Sequence, residues 1–261
     1  TLSSSSAASD VYKRQDSYCA VSSATLPLPM RHAIRPAAAT CSAAPALLLL
    51  LHGTGDNEHG LLNAVGQLAP PDVVVVSLRA PLQAPFGGFR WFEGYSAAPE
   101  KVALEETVAA SSDKVLSFIQ TAPDIFGTDP QRVFLLGFSQ GATMVWTTLL
   151  SRWARPALIA GGMALSGRLF PELLQKGTPL NSRLADAAQL KNLPIFASHG
   201  ADDLVTVVAV GRENSRLFTS WMPHANFEYV EDPDCGHEIS PLVASHVREW
   251  LKRYVSAEVK S

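Results

Sequence analysis

The chain has 261 residues, 47% apolar and only 17% charged, with a formal net charge of -3 and a pI near 6.1. A charged share below the usual ~25% implies a core that is large relative to the surface, and the length suits one α/β domain around a single sheet. Lys and Arg are scattered and the balance is slightly acidic, so there is no basic field for phosphate backbones or anionic lipid, which argues against nucleic acid as a partner.

Three cysteines, Cys19, Cys41 and Cys235, are an odd number without metal-type spacing. They argue against a disulfide framework, and no His, Cys or carboxylate cluster has the spacing of a metal site. The longest unbroken apolar run, 45–51, is far shorter than the ~20 residues of a membrane-spanning helix. The expectation is a cytoplasmic protein without integral membrane association.

In chain order, residues 1–29, rich in Ser and Ala without periodicity, read as a disordered or artefactual leader, with Met30 as a candidate start. The Arg-bearing, acid-poor stretch 17–44 alternatively reads as the remnant of an organelle transit peptide. The expected domain is 30–256, followed by a tail at 257–261. Short apolar runs at 47–51, 73–78, 133–137, 158–165, 195–198 and 227–230 suit strands buried on both faces of a parallel sheet. Segments 102–121, 140–154, 208–221 and 241–255 carry apolar residues at helical spacing. The alternation predicts right-handed crossovers with helices on both faces. Two stretches break the rhythm, 79–100 and 168–192, and such long loops are candidates for the walls of a substrate pocket.

The strongest chemical signal is Gly137-Phe138-Ser139-Gln140-Gly141, which follows an apolar strand and precedes a helical pattern. A turn this sharp forces its central residue into a strained conformation and presents the Ser139 hydroxyl at the sheet edge, while the glycines let strand and helix approach. An inert Ser in a tight turn is the bland alternative; the strand before, the helix after and a matching His downstream favour a nucleophile. A Ser hydroxyl needs a neutral imidazole to take its proton and return it to the leaving group. Of seven histidines, His237 lies after the last predicted strand and before the terminal helix, which suits the chain order Ser, acid, His. His246 is expected to be solvated on that helix, and His32, His59 and His224 have no motif around them.

The acid is expected after the penultimate strand, where Asp202 and Asp203 are both available and only one can point at His237. Negative charge developing on a substrate oxygen needs two preorganised donors. The backbone N–H of Gln140 is one. The other is expected from the loop Leu51-His52-Gly53-Thr54-Gly55-Asp56-Asn57, where glycines permit a bend that turns the Thr54 N–H inward. That loop lacks the Lys-Ser/Thr of a P-loop and the full dinucleotide glycine pattern.

Taken together, Leu51-His52-Gly53-Thr54-Gly55-Asp56, Arg79-Ala80-Pro81, Trp91-Phe92-Glu93, Gly137-Phe138-Ser139-Gln140-Gly141, His199-Gly200-x-x-Asp203 and Gly236-His237 resemble the phospholipase/carboxylesterase family of α/β-hydrolases, which includes small bacterial carboxylesterases and acyl-protein thioesterases. The resemblance covers about 31–254. It implies an α/β-hydrolase fold and a cofactor-free esterase, monomeric or homodimeric, acting on a small-molecule ester or thioester. Ser139, Asp203 and His237 would form its triad, Asp203 being the fifth residue of the His-Gly-x-x-Asp stretch. Glu93 stands where the family usually has Asp, and Thr206-Val207 replaces a usual Val-Pro. The segment 85–90 is longer and more aromatic than in simple bacterial members, which makes Phe86, Phe89, Trp91 and Phe92 candidates for the wall of a short-to-medium acyl pocket.

Competing readings are a lysophospholipase, a dienelactone-hydrolase-like enzyme, a peptidase and a non-catalytic binding module. A dienelactone hydrolase would carry Cys at the position of Ser139. A peptidase would bring a gating domain, and a binding module would usually have lost one of the three reacting side chains.

Overall fold

The computed structural model describes residues 28–38, 44–93, 105–154 and 159–256. The leader and the tail expected at the ends lie outside these residues, except Leu28 and Pro29, as do Cys19, Cys41, residues 94–100 of the loop expected at 79–100, residues 102–104 of the helix expected at 102–121 and residue 158 of the strand expected at 158–165.

Five of the six expected runs became buried strands, whereas the sixth, at 227–230, became a half-buried edge strand. The elements are β1 (His32–Arg35), β2 (Ala46–Leu51), α1 (Gly60–Val65), β3 (Val73–Leu78), β4 (Leu82–Gln83), β5 (Phe89–Arg90), α2 (Glu105–Phe126), β6 (Val133–Phe138), α3 (Gln140–Leu149), β7 (Gly161–Leu165), α4 (Pro171–Leu174), α5 (Ala187–Leu190), β8 (Ile195–Gly200), α6 (Val208–Trp221), β9 (Phe227–Asp232) and α7 (Pro241–Tyr254). The sheet order is β1-β3-β2-β6-β7-β8-β9, parallel except for β1, which pairs antiparallel with β3. This is the α/β-hydrolase fold.

The period of two along β2 divides the core. Leu47, Leu49 and Leu51 enter a layer with α2, α3 and α6, whereas Ala46, Leu48 and Leu50 enter a second layer with α1 and α7. Truncating one of these fully buried leucines, such as Leu49→Ala, is expected to cost about 2–5 kcal/mol. Leu28 and Met30 pack on the first layer, so the folded chain includes residues ahead of the expected boundary at 30.

Three elements differ from the sequence expectation. The edge strand β1 is short and half-exposed, so it offered no apolar run to read. Helix α3 stops at Leu149 instead of 154, and a single 3-10 turn, Arg152–Ala154, follows. Helix α2 runs past 121 to Phe126 through Pro123, which is buried in the helix interior. Among the described residues, no helix is long and apolar enough to cross a membrane.

Candidate active site

The sharp connection between β6 and α3 forces Ser139 to φ 54° and ψ -119°, a region that residues with a side chain rarely occupy. The strain is held from both sides. Ser139 N–H donates to Leu165 O on β7 (2.9 Å), and Ser139 O accepts from Ala142 N–H (3.0 Å). The close approach needs glycine, because a Cβ on Gly141 would fall on the Leu51 carbonyl at the end of β2.

The loop after β9 brings His237 to this point. Its Nε2 lies 2.9 Å from Ser139 Oγ, and its Nδ1 lies 2.7 Å from Asp203 Oδ2. A carboxylate only accepts, so Nδ1 carries the proton and Nε2 is left to accept from the Ser139 hydroxyl. Asp203 is fully buried, and its other oxygen accepts from the N–H groups of Val205 (2.8 Å) and Thr206 (2.7 Å). Asp202 is exposed, so of the two adjacent carboxylates it is Asp203 that meets His237. The loops that carry Asp203 and His237 are tied together: Asp202 N–H donates to Cys235 O (3.0 Å) and Ala201 N–H to Asp232 O (2.8 Å). Gly200 permits this, since a Cβ there would overlap the carbonyls of Cys235 and Gly236. Thr206, a departure from the family pattern, uses its backbone to hold Asp203, so the change leaves the turn closed.

Thr54 lies in the turn after β2, next to Gly53, whose Cβ position would be only 3.3 Å from Ser139 Cβ. Among the described residues, neither the Thr54 nor the Gln140 N–H donates to another protein group. His52, fully buried, braces the turn by donating Nδ1–H to Gly53 O (2.7 Å) and accepting Ala80 N–H at Nε2 (3.1 Å). Burial pushes its pKa down and keeps it neutral, as an accepting Nε2 requires. Buried Glu58 receives a bidentate bond from Arg79, 2.6 and 2.5 Å, which joins the segment after the turn to the end of β3 and lowers the Glu58 pKa to about 2.

The aromatic stretch departs from expectation. Trp91 and Phe92 are 0% and 1% exposed and line no open wall, while Phe86 is fully exposed at the tip of the β4–β5 turn. The reason is that the backbone here is a brace. Trp91 N–H donates to Gln140 Oε1 (2.7 Å), Gln140 Nε2 donates to Phe92 O (3.0 Å), Trp91 Nε1 donates to His52 O (2.8 Å), and Ser111 Oγ donates to Trp91 O. One tryptophan thereby links the helix after Ser139, the Thr54 turn and α2. Phe89, half-buried, does face a cavity of about 320 Å³ shared with Met30, Arg31, Arg79, Pro81 and Lys114, but Ser139 and His237 do not line it. The bracing roles of His52, the Gln140 side chain and Trp91 were not read from the sequence. The one available signal was a polar His ending an otherwise apolar strand.

With this geometry in view, the sequence model of the phospholipase/carboxylesterase family matches residues 36–255. The chain belongs to that family. Relatives within and around it include esterase YpfH of Escherichia coli, 33% identical, with 84% of this chain and 88% of the relative covered. Carboxylesterase SOBER1 of Arabidopsis thaliana is 26% identical, with 80% and 91% covered. The crystal structure of Zea mays acyl-protein thioesterase 2 superposes with a TM-score of 0.70 at 21% identity, covering 87% of this chain and all of that one, a likeness of fold. As a phospholipase/carboxylesterase family member, the protein is a hydrolase, and the motifs that carried the resemblance all fall inside the matched residues.

Proposed function

We propose that this hydrolase cleaves carboxylic esters or thioesters of small molecules through an acyl-enzyme on Ser139, with His237 as base and acid, Asp203 as the orienting carboxylate, and the N–H groups of Thr54 and Gln140 as the oxyanion hole. The observation that carries the reading is the unbroken chain of hydrogen bonds from Ser139 Oγ through both ring nitrogens of His237 to buried Asp203.

In the first half-reaction Ser139 Oγ bonds to the substrate carbonyl carbon as its proton passes to His237 Nε2. The imidazolium is stabilised by the Asp203 carboxylate, whose second oxygen is already held by two N–H groups. The tetrahedral oxyanion is taken by the backbone N–H groups of Thr54 and Gln140, since donors fixed before the reaction need no reorganisation. His237 then gives its proton to the departing alcohol or thiol. Water enters, loses a proton to His237 and attacks the acyl carbon; collapse returns the proton to Ser139 and releases the carboxylic acid. Trp91 and Phe92 are withdrawn into the core and give an acyl chain no aromatic wall, so the short-to-medium chain preference is left to the substrate series below.

The test is labelling of the purified protein with a fluorophosphonate, followed by hydrolysis of a series of p-nitrophenyl esters and acyl-CoA thioesters. A single adduct on Ser139 and turnover of butyryl or hexanoyl substrates are expected. No adduct, or turnover confined to long-chain phospholipids, would reject the reading.

A further inference from the structure

His199, the penultimate residue of β8 and four residues before Asp203, is 1% exposed and has no part in the proton transfers above. Its Nε2 lies 2.6 Å from Thr206 O and 3.5 Å from Asp203 Oδ2, the same carboxylate oxygen that receives His237 Nδ1–H. A carbonyl oxygen can only accept, so Nε2 bears the proton. The turn 203–206 is thus closed twice: from inside, by the Val205 and Thr206 N–H groups on Asp203 Oδ1, and from beneath, by the His199 ring on the Thr206 carbonyl. Helix α6 presses on the ring, because the Cβ position of Gly211 would be 2.7 Å from Nδ1.

We propose that His199 is a positioning residue for the reaction, a neutral imidazole whose Nε2–H fixes the acid turn and so aims Asp203 Oδ2 at His237. This rests on Asp203 being the triad acid. A cation in the same place would pair with the carboxylate and compete with the His237 imidazolium; a neutral donor holds geometry without that competition. The charged or titratable groups facing the ring are Asp203 and His237 on the acid and base loops and Glu231 on β9, itself paired with Arg212 of α6 (2.8 Å) and bonded by Tyr229. Burial outweighs the two carboxylates and lowers the His199 pKa.

Two variants and one measurement on the unaltered protein test this. The amide nitrogen of His199→Gln reaches the position of Nε2, whereas that of His199→Asn stops near Nδ1. His199→Asn is expected to lower kcat about 10–100-fold with KM within about twofold, as for other groups that orient a reacting residue, and His199→Gln is expected to stay within about threefold of the unaltered protein. Equal kcat for the two variants, whether both high or both low, would overturn the proposal. In ¹⁵N-resolved spectra of the unaltered protein the His199 ring should be the Nε2–H tautomer; an Nδ1–H ring would also overturn it, even if a variant does not fold. If Asp203→Asn proves fully active, the underlying triad reading fails instead.

Discussion

Two loops near Ser139 solve opposite problems. The Asp203 turn after β8 is only a few residues long and is closed largely by its own atoms, Asp203 Oδ1 holding Val205 and Thr206 with His199 just upstream, before Ala201 and Asp202 tie it to the loop after β9. The aromatic stretch between β4 and Glu93 has almost no such self-closure beyond its turn. Its conformation is set by partners far along the chain, Gln140, His52 and Ser111. Locally closed chemistry shows its role in a short motif, while Trp91-Phe92-Glu93, though a landmark of the resemblance, gives no sign of a brace because its partners lie far along the chain.

The comparison can be broken first at its common target. Ser139→Ala is expected to lower kcat/KM by about 10⁴–10⁶ with an unchanged far-UV spectrum, because the covalent step is lost; near-normal turnover of short acyl esters by this variant would remove Ser139 from the mechanism. Next comes the acid turn itself. Asp203→Asn should cut kcat about 10⁴-fold by favouring the wrong tautomer of His237, and Asp202→Asn should cost about tenfold or less, measured on one ester. The reverse ranking would move the acid by one residue.

The brace should fail as a structure before it fails as a catalyst. Trp91→Ala removes a fully buried indole and takes the Nε1–H partner from the His52 carbonyl, while the Gln140 amide keeps its bonds to the backbone of residues 91 and 92, so a loss of about 3–5 kcal/mol in denaturant unfolding is expected, most of it from the cavity. Phe86→Ala, in the same stretch but fully exposed, should change stability by less than about 0.5 kcal/mol. Similar losses for both would mean that the stretch is not divided as described. Between these falls Glu58→Gln, for which about 2–3 kcal/mol is expected, less than the roughly 3–5 kcal/mol of a fully buried pair because Arg79 is partly exposed. The Glu58 pKa is lowered on folding, so the pair's contribution is present above about pH 4.5 and is lost as the pH falls toward 2. A variant whose deficit persists unchanged at pH 2 would contradict that assignment.

The sequence by itself determined six of the seven strands of the sheet, because strands buried within it are continuous apolar runs: 47–51 and 73–78 were read within a residue of β2 and β3, whereas half-exposed β1 carried no such run. It also named Ser139, His237 and the pair Asp202 and Asp203, since a strained turn and the loops at strand ends demand particular residues in chain order. It left the choice between the two carboxylates to family resemblance, because two neighbours on one loop carry the same chemistry. Only the tertiary structure decided that Asp203 is the one buried against His237, that Trp91 and Phe92 face the core, and that His52, His199 and the Gln140 side chain hold the loops. The physical reason is range. Periodicity and turn chemistry act over a few residues, whereas a hydrogen bond from Trp91 to Gln140, or from Ala80 to His52, joins atoms that no local pattern brings together until the sheet has formed.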